Sequence, residues 1–302
     1  MQRLRDLLST KFTMTLEVIP PKGPDPSKLI REVEQLKDWI DALNVLDSPL
    51  GKMKMSAIAA SLIIKERCGL DVFFNVTCRD RNIIGIQSDL LGAYALGLDN
   101  VMALTGDTPQ GAKGVFEIDS TTLVRLIQGL NQGKDFTGAP LDRGTSFLIG
   151  VATNPGADNG TKELKRLEAK VREGANFVVT QPVYQPQGAH PFIKEVKGWG
   201  LPILFGILPL KSLSFAQYIN RALPGVSVPE KILKEMEGCP KEEQRTIGGR
   251  NAIEVFEEFA PFVNGVHIMP AGDLDLAQQI LSSISSKVKR SCPGPSEIYP
   301  NS

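Results

Sequence analysis

The chain contains eight short runs of β-branched and other apolar residues, and each run is followed by a segment with helical spacing of its apolar residues. Strands that are apolar along their whole length are buried on both faces, which is typical of parallel sheets covered by helices. Eight such strand–helix units in about 250 to 300 residues predict a closed α/β barrel of the (β/α)8, or TIM, type. An open doubly wound sheet is the alternative. The predicted strands are residues 13–19, 42–46, 72–77, 100–104, 146–152, 177–180, 203–207 and 265–268.

The predicted helices lie between these strands, and an extra helical pair, 229–237 and 241–259, precedes the last strand. The first helix begins at about Ser27, because serine is a favourable N-cap residue. We expect one barrel domain over residues 1–302, with a flexible Pro- and Ser-rich tail at 291–302. The other predicted helices are residues 56–67, 89–96, 120–130, 162–173, 191–196, 212–222 and 274–288.

Charge and cysteine content narrow the function. The chain has 34 basic and 34 acidic residues, so it lacks the basic footprint of a nucleic-acid-binding protein. No apolar run approaches the roughly 20 residues of a membrane helix, and residues 1–10 do not resemble a secretory signal, so we expect a cytoplasmic protein. Four scattered cysteines and two histidines, His190 and His267, argue against a zinc or iron–sulfur site held by this chain alone. We expect structural or surface roles for both histidines.

Polar residues follow six of the eight predicted strands. A (β/α)8 barrel places its active site at the C-terminal ends of its strands, so we expect these residues at one rim. Glu17 lies within an apolar run, where partial desolvation would raise the pKa of its carboxyl and suit a general acid near neutral pH. A structural salt bridge is the alternative. Asp107 follows Gly106, which lets a ligand approach the backbone closely, but a turn aspartate that bonds its own backbone explains it too.

Two groups of charged residues also have two interpretations. Arg79 belongs to a charge cluster after the third strand, and its planar guanidinium suits a phosphate; a solvated loop or an internal ion pair explains it as well. Glu163, Arg166 and Lys170 recur at helical spacing after the fifth strand, and such a face is usually only solvated.

Several motifs, taken together, resemble the methylenetetrahydrofolate reductase family from about residue 12 to about residue 285. Their order and spacing are more specific than any single motif. The CRDRN stretch resembles the subgroup of acetyl-CoA-pathway bacteria that is fused to, or paired with, methyltransferase modules. The motifs are LEVIPPKG (16–23), TCRDRN (77–82), LLGA with LG (90–97), NVMALTGD (100–107), the segment 170–176, TQP (180–182) and GILP (206–209).

The resemblance implies a flavoprotein enzyme that reduces 5,10-methylenetetrahydrofolate to 5-methyltetrahydrofolate by hydride transfer from reduced FAD, in one direction or both. The family glutamate that donates a proton matches Glu17. The family aspartate that stabilises the substrate cation and tunes the flavin potential matches Asp107. A glutamine that holds the pterin ring matches Gln181. A phenylalanine that packs on folate or nicotinamide nucleotide in some members aligns with Leu213, which lacks an aromatic face.

The resemblance also implies the contacts to FAD, at the C-terminal ends of the strands. This chain departs from the family at Asn75 and Asp158, where histidines are common, and at Asn154, where tyrosine is common. Lys170 suits the diphosphate, because phosphate binds cations. The implied FAD-binding residues are Asn75, Thr77, Arg79, Leu104, Thr105, Gly106, Asp107, Ile118, Asp119, Ser120, Asn154, Asp158, Glu163, Arg166 and Lys170.

The implied partners are a folate substrate and either NAD(P)H or a reduced ferredoxin-type donor. A cysteine-rich partner subunit or a corrinoid methyltransferase is also implied, as are an oligomer and a place in one-carbon metabolism, through methionine biosynthesis or the acetyl-CoA pathway. Two other functions stay open. One is a flavin-free, folate-binding methyltransferase barrel, and the other is a non-catalytic subunit of a methyl-transfer complex.

Overall fold

The computed structural model describes residues 3–109, 111–223 and 225–291. Its eight strands form a closed barrel in chain order, with parallel pairing throughout and β8 paired with β1. The prediction of a (β/α)8 barrel is confirmed, and the open sheet is wrong. The strands are β1 (Thr13–Val18), β2 (Ala42–Val45), β3 (Asp71–Thr77), β4 (Asn100–Leu104), β5 (Leu148–Thr153), β6 (Phe177–Thr180), β7 (Ile203–Ile207) and β8 (Gly265–Ile268).

Helices connect consecutive strands on the outside of the barrel, and the extra pair before β8 is present as predicted. The helices are α1 (Leu4–Thr10), α2 (Ser27–Leu36), α3 (Ala57–Cys68), α4 (Ile83–Ala95), α5 (Ser120–Asn131), α6 (Gly160–Arg172), α7 (Pro186–Gly198), α8 (Leu213–Ala222), α9 (Glu230–Met236), α10 (Lys241–Phe259) and α11 (Leu274–Ser291).

Two helix starts differ from the prediction by five residues or more, and one predicted N-cap is wrong. Ser27 is the first residue of α2 and not its N-cap; its backbone N–H and hydroxyl donate to the Asp25 carboxylate at 2.9 and 2.6 Å. The helix α4 begins six residues earlier than predicted, where Asn82 caps it by accepting from the Gly85 N–H at 2.8 Å. The helix α7 is also longer and contains Pro191. The predicted tail at 291–302 lies, apart from its first residue, outside the described residues.

Helix α1 was not predicted, and it lies across the N-terminal end of the barrel. Its first backbone N–H, at Leu4, donates to the Asp71 carboxylate at the start of β3, at 2.7 Å. Leu4 and Leu8 are buried against the apolar residues that fill the barrel interior. Burying each leucine contributes about 1.5–3 kcal/mol, so this short helix stabilises the end of the barrel opposite the predicted site.

The barrel interior is filled near that end by large apolar side chains. The Phe73 and Phe177 rings meet edge to face, with centroids 5.8 Å apart. Gly150 on β5 makes room for them, because a Cβ there would lie 2.3 Å from the Phe177 ring and 2.4 Å from the Met102 sulfur. The other face of each strand packs on the surrounding helices. The predicted site lies at the other end of the barrel, where the buried polar residues include Asn44, Asn75 and Thr77.

Candidate active site

A cavity of about 700 Å³ opens at the C-terminal ends of strands β2 to β6. The loops after β2 to β6 contribute most of its wall, and the segment after α8 closes one side with Leu223 and Val226. Most of the predicted site residues are brought together here. They are Asn75, Thr77, Arg79, Leu104, Thr105, Gly106, Asp107, Ser120, Asn154, Asp158, Glu163, Arg166, Lys170 and Gln181.

Glu17 lies near the end of β1, at a smaller hollow of about 100 Å³. Its carboxylate is 3.9 Å from Nε2 of His267, whose Nδ1 is 2.9 Å from the Thr15 hydroxyl. Only 20% of the Glu17 side chain and 2% of the His267 side chain are exposed. Loss of hydration raises the pKa of Glu17 to about 7 and lowers the pKa of His267 to about 3. Both groups are therefore neutral over a range below pH 7.

Asn44 connects the Glu17 strand to the large cavity. It is the register partner of Glu17 on β2, and its Nδ2 donates to Asn75 Oδ1 at 2.7 Å. Asn75 lines the cavity, so a line of polar interior residues runs from β1 through β2 to β3. Asn44 was not among the predicted site residues. The alternation of interior and exterior residues along β2 could have identified it as an interior residue.

Asp47, Arg81 and Asp89 form a charged network after β2 and β3. Arg81 Nη1 donates to Asp47 at 2.8 Å, and its Nε donates to Asp89 at 2.7 Å. Asp47 also accepts from the Thr77 hydroxyl at 2.9 Å. Each charge in this network has a partner, and the hydrogen bond to Asp47 fixes Thr77 in the cavity wall.

Arg79 is 1% exposed, and its guanidinium is occupied by the protein itself. Its Nε and Nη2 donate to the Asp80 carboxylate, at 2.6–2.9 Å. Its Nη1 and Nη2 also donate to the carbonyls of Ser48 and Asp47, at 3.0 and 3.2 Å. The hydrogen bonds to Asp80 are the main cause of the raised pKa of Arg79. Of the interpretations open from the sequence, the internal ion pair describes this geometry.

Asp107 extends from the end of β4 and is exposed at the mouth. Its Oδ2 accepts from the Leu50 N–H at 2.8 Å. Ser48 and Leu50, in the loop after β2, have φ angles of 45° and 56°, in the left-handed region that costs a non-glycine residue about 1–2 kcal/mol. The carboxylate therefore contacts a neighbouring loop and not its own turn, which was the alternative considered from the sequence.

Lys170 on α6 is a buried cation in the cavity wall. It is 7% exposed, and its Nζ donates to the Ala152 carbonyl at 3.0 Å. Desolvation lowers the pKa of Lys170, against the opposing charge of Glu163. Over the described ranges, no carboxylate lies within ion-pair distance of this ammonium, so a bound anion would compensate it.

Glu163 and Arg166 are less similar than their spacing suggested. Glu163 Oε1 accepts from the Thr153 hydroxyl and the Asn154 N–H, both at 2.9 Å, and so ties α6 to the end of β5. Arg166 is 61% exposed and meets Glu163 only at 3.5 Å. Arg166 is thus available at the rim, whereas Glu163 is engaged in structure. The fully solvated face expected as the alternative is wrong for Glu163 and Lys170.

Asn154, where the family often has tyrosine, closes the cavity against the segment after α8. Its Nδ2 donates to the Gly225 carbonyl at 3.1 Å, and its Oδ1 accepts from the Gly156 N–H at 3.0 Å. Asp158 is exposed at the rim of the same loop.

Ile118, Asp119 and Ser120, three predicted FAD contacts at the start of α5, have different surroundings. Asp119 is the N-cap, and the Thr122 N–H donates to it at 2.8 Å, a bond that lowers the pKa of Asp119. Ser120 lines the cavity, and its N–H donates to the Thr105 hydroxyl at 3.3 Å. Ile118 packs on the outer apolar core and is not in the cavity wall.

Gln181 and Leu213, the other two residues predicted to contact folate, lie in different cavities. Gln181 follows β6, where its N–H donates to the Thr153 carbonyl at 2.7 Å, and its side chain lines the cavity. Leu213 begins α8 and lines a different hollow, beside Lys211 and Lys241.

A structural or surface role was expected for His267, and the surface role is wrong, because the residue is buried inside the barrel beside Glu17. The signal was its place in β8, between Val266 and Ile268, which pack outward. Within residues 3–109, 111–223 and 225–291, no three His, Cys, Asp or Glu side chains gather as a metal site. Over the same ranges, no helix has the length and apolarity needed to cross a membrane.

The fold defines this chain as a (β/α)8-barrel protein, and polar residues contribute to the wall of the large cavity at its mouth. A family model described as methylenetetrahydrofolate reductase matches residues 2–285, and the chain belongs to that family. The resemblance inferred from the sequence motifs is confirmed.

Relatives of this chain include methylenetetrahydrofolate reductase 2 of Saccharomyces cerevisiae, which is 25% identical over 284 residues, covering 86% of this chain and 45% of that protein. A probable methylenetetrahydrofolate reductase (NADPH) of Caenorhabditis elegans is 30% identical over 188 residues, covering 60% and 26%. This chain thus spans less than half of these two relatives. The 5,10-methylenetetrahydrofolate reductase of Pectobacterium carotovorum is 24% identical over 264 residues, covering 82% and 81%.

Among solved structures, a Clostridium thermocellum protein that binds two copies of 5-methyl-5,6,7,8-tetrahydrofolic acid superposes with a TM-score of 0.65. It is 16% identical, and the match covers 94% of this chain and 98% of that one. At this identity the likeness concerns the fold alone.

Proposed function

We propose that this chain is an FAD-dependent reductase that converts 5,10-methylenetetrahydrofolate to 5-methyltetrahydrofolate. The observation that carries the proposal is Glu17, a desolvated carboxyl with a pKa of about 7 inside the barrel of a chain from this family. A general acid works best when its pKa lies near the operating pH.

The large cavity fits FAD in size and in the chemistry of its wall. Its volume of about 700 Å³ lies in the upper part of the range of about 300–1,000 Å³ for cofactor sites. Lys170 is a buried ammonium without a carboxylate partner in the described part of the chain, which suits a diphosphate. Lys170, Arg166, Ser120 and the backbone of Thr105–Asp107 are the residues we assign to holding it. Arg79 does not fit as a phosphate ligand while its nitrogens donate to the protein.

When bound and reduced, FAD supplies the hydride that is added to the one-carbon unit. The residues of this chain do the rest. Glu17 donates a proton as the five-membered ring of the substrate opens, which leaves a cationic iminium group on the folate. The neutral His267 beside Glu17 adds no positive charge that would favour the loss of this proton before the substrate arrives.

Asp107 stabilises the cationic substrate by electrostatic preorganisation, since its carboxylate is already fixed by the Leu50 N–H. Its other oxygen, Oδ1, accepts no hydrogen bond from any described residue. Gln181, in the cavity wall, is assigned to the pterin ring. For Leu213, which lies in the neighbouring hollow, the proposed contact is with the far end of the folate or with a nicotinamide nucleotide.

The donor, partners and setting of the reaction complete the proposal. NAD(P)H or a reduced ferredoxin-type protein would reduce the flavin, the latter through a cysteine-rich partner subunit. An oligomer, a corrinoid methyltransferase partner, a cytoplasmic location and a role in methionine biosynthesis or the acetyl-CoA pathway belong to the same proposal. Anaerobic reduction tried with NADH, NADPH and reduced ferredoxin separately identifies the donor.

A flavin-free methyltransferase barrel is the second candidate, because a protein of the same fold binds 5-methyltetrahydrofolic acid. One experiment separates the two. The purified protein is incubated with FAD, reduced anaerobically with dithionite and mixed with methylenetetrahydrofolate. The proposed reductase binds FAD, and its flavin absorbance returns as methyltetrahydrofolate forms. A protein that binds methyltetrahydrofolate and retains no flavin supports the second candidate instead. Bound flavin that stays reduced after substrate is added contradicts the reductase.

A further inference from the structure

We propose that the β2–α3 loop (residues 46–56) is a positioning element for the Asp107 carboxylate, and that Arg79 is the residue that fixes this loop. The inference rests on the proposed function in one respect, since it concerns the carboxylate assigned to the cationic substrate. It also gives Arg79 a role different from the phosphate contact expected from the sequence.

The contact between the loop and Asp107 is a hydrogen bond from a backbone amide. The Leu50 N–H donates to Oδ2 of Asp107 at 2.8 Å. Three residues of this stretch, Ser48, Leu50 and Gly51, have φ angles of 45°, 56° and 65°. Non-glycine residues seldom adopt this conformation, and it persists only where surrounding contacts hold it. The strained backbone is what turns the Leu50 amide toward the loop after β4.

Gly51 brings the two loops into direct contact. A Cβ at Gly51 would lie 2.4 Å from the Thr108 carbonyl oxygen and 2.7 Å from the Pro109 Cα. Backbone atoms cannot move aside as a flexible side chain can, so any other residue at position 51 would push the loops apart. The separation would act on Asp107 directly, because it immediately precedes Thr108.

Arg79 binds the β2–α3 loop through hydrogen bonds to its backbone. Its guanidinium donates to the carbonyls of Asp47 and Ser48, at 3.2 and 3.0 Å, while the Asp80 carboxylate fixes its orientation. Its side chain is 2% exposed. A lysine at position 79 has one nitrogen and no planar fork, so it cannot make these bonds together. The order of support is therefore Arg79, then the loop, then Asp107.

Hydrogen–deuterium exchange tests the contact without folate or flavin. Replacing Asp107 by alanine removes the acceptor of the Leu50 N–H, and we expect exchange in residues 48–55 to become about tenfold faster. Asp107→Asn is the matched control, since its amide oxygen still accepts; exchange should stay within about twofold of the native protein. Unchanged exchange in Asp107→Ala would overturn the proposal whatever reaction the protein catalyses.

A double-mutant cycle tests the positioning. The rate measured is that of reduced flavin oxidation by methylenetetrahydrofolate in the FAD-loaded protein. Gly51→Ala, and likewise Arg79→Lys, should lower it about 10- to 100-fold in the native background and less than about twofold in the Asp107→Ala background. Equal losses in both backgrounds would show that the loop acts by another route.

Gly69→Ala is the control for general backbone strain. Gly69 also has a positive φ, 68°, but nothing lies within 4 Å of its Cβ, and it caps the far end of α3. Its variant should lose stability without losing rate. Absence of flavin oxidation in the native protein would contradict the proposed function, and the exchange measurement would still decide whether the loop holds Asp107.

Discussion

The two sides of the barrel mouth differ in how their ionisable side chains are surrounded. On the β8–β1 wall, Glu17 and His267 are desolvated and neutral over a common pH range, and a distance of 3.9 Å separates them. On the β2–β4 wall, Asp47, Arg81 and Arg79 are bound to charged side chains or backbone carbonyls at 2.6–3.2 Å. The β8–β1 wall holds a carboxyl that can exchange a proton near pH 7, and the β2–β4 wall holds charges fixed by their partners.

The difference shows how one barrel places two carboxylates in different roles. Burial without a cation raises the pKa of Glu17, whereas Asp107 stands in solvent with one oxygen held by a backbone amide. Pairs of acids whose surroundings differ in this way are the usual basis for assigning proton donor and electrostatic stabiliser. The contrast adds to the support that Glu17 gives to the proposed reductase.

Replacing Glu17 by glutamine should break the comparison most strongly. The amide keeps the shape of the side chain but carries no transferable proton, so oxidation of reduced flavin by methylenetetrahydrofolate should slow about 10²- to 10⁴-fold. Reduction of the flavin by its donor needs no such proton and should stay within about twofold. Stopped-flow measurement of the two half-reactions checks this.

The matched control for that variant is Glu258→Gln. Glu258 also contacts a histidine, His190, at 2.6 Å, but on α7 and α10, away from the strand ends. Both half-reactions should be unaffected there. Equal slowing of both half-reactions in Glu17→Gln would contradict its assignment as the proton donor.

The fold was largely predictable because the strands are rich in apolar residues and are largely buried, and all eight lie within two residues of their predicted bounds at each end. Helix α1 was missed because its seven residues are too few to show a clear period, and its stabilisation comes from packing on the barrel interior. The early start of α4 was missed although Asn82 is a favourable N-cap residue.

The candidate site was predictable in its location but not in its pairing. Strand ends and motifs identify which residues reach the mouth. They do not show that the Arg79 guanidinium is bound to Asp80 and to two backbone carbonyls. His267 and Leu50 act through a cross-strand and a cross-loop contact, and such contacts have no local sequence signal. Neighbours in space decide these roles, and one sequence lists only neighbours along the chain.

The pH dependence of stability sharpens the contrast between the walls. Folding raises the pKa of Glu17 from 4.5 to about 7, so the folded state keeps a proton that the unfolded state has lost, and stability falls as pH rises through this window. Folding lowers the pKa of His267 from 6.5 to about 3, so stability from this residue is lost as pH falls below 6.5. Between pH 4.5 and 6.5 the two contributions oppose each other.

Removing one member of the pair should expose the other. In Glu17→Gln, the free energy of unfolding should drop by about 2 kcal/mol more than in the native protein between pH 6.5 and about pH 5. In His267→Gln, it should instead rise over the same interval. Urea unfolding followed by the fluorescence of Trp39 and Trp199 measures both. Parallel pH profiles for the native protein and the two variants would mean that neither group is desolvated as described.

The smallest expected effect concerns the cofactor side of the mouth. Lys170→Met keeps an unbranched side chain that is one atom shorter and removes the ammonium, so FAD should bind about tenfold more weakly, as expected for loss of one charge-assisted hydrogen bond. Lys165→Met, on the exposed part of α6, is the control and should bind FAD normally. Titration of the apoprotein, followed by quenching of flavin fluorescence, gives both dissociation constants.

Because burial of an unpaired cation costs stability, Lys170→Met should also melt at a higher temperature without FAD. Weaker binding with no gain in melting temperature would mean that Lys170 already has a compensating charge, and that the fixed-charge wall includes it before any ligand arrives.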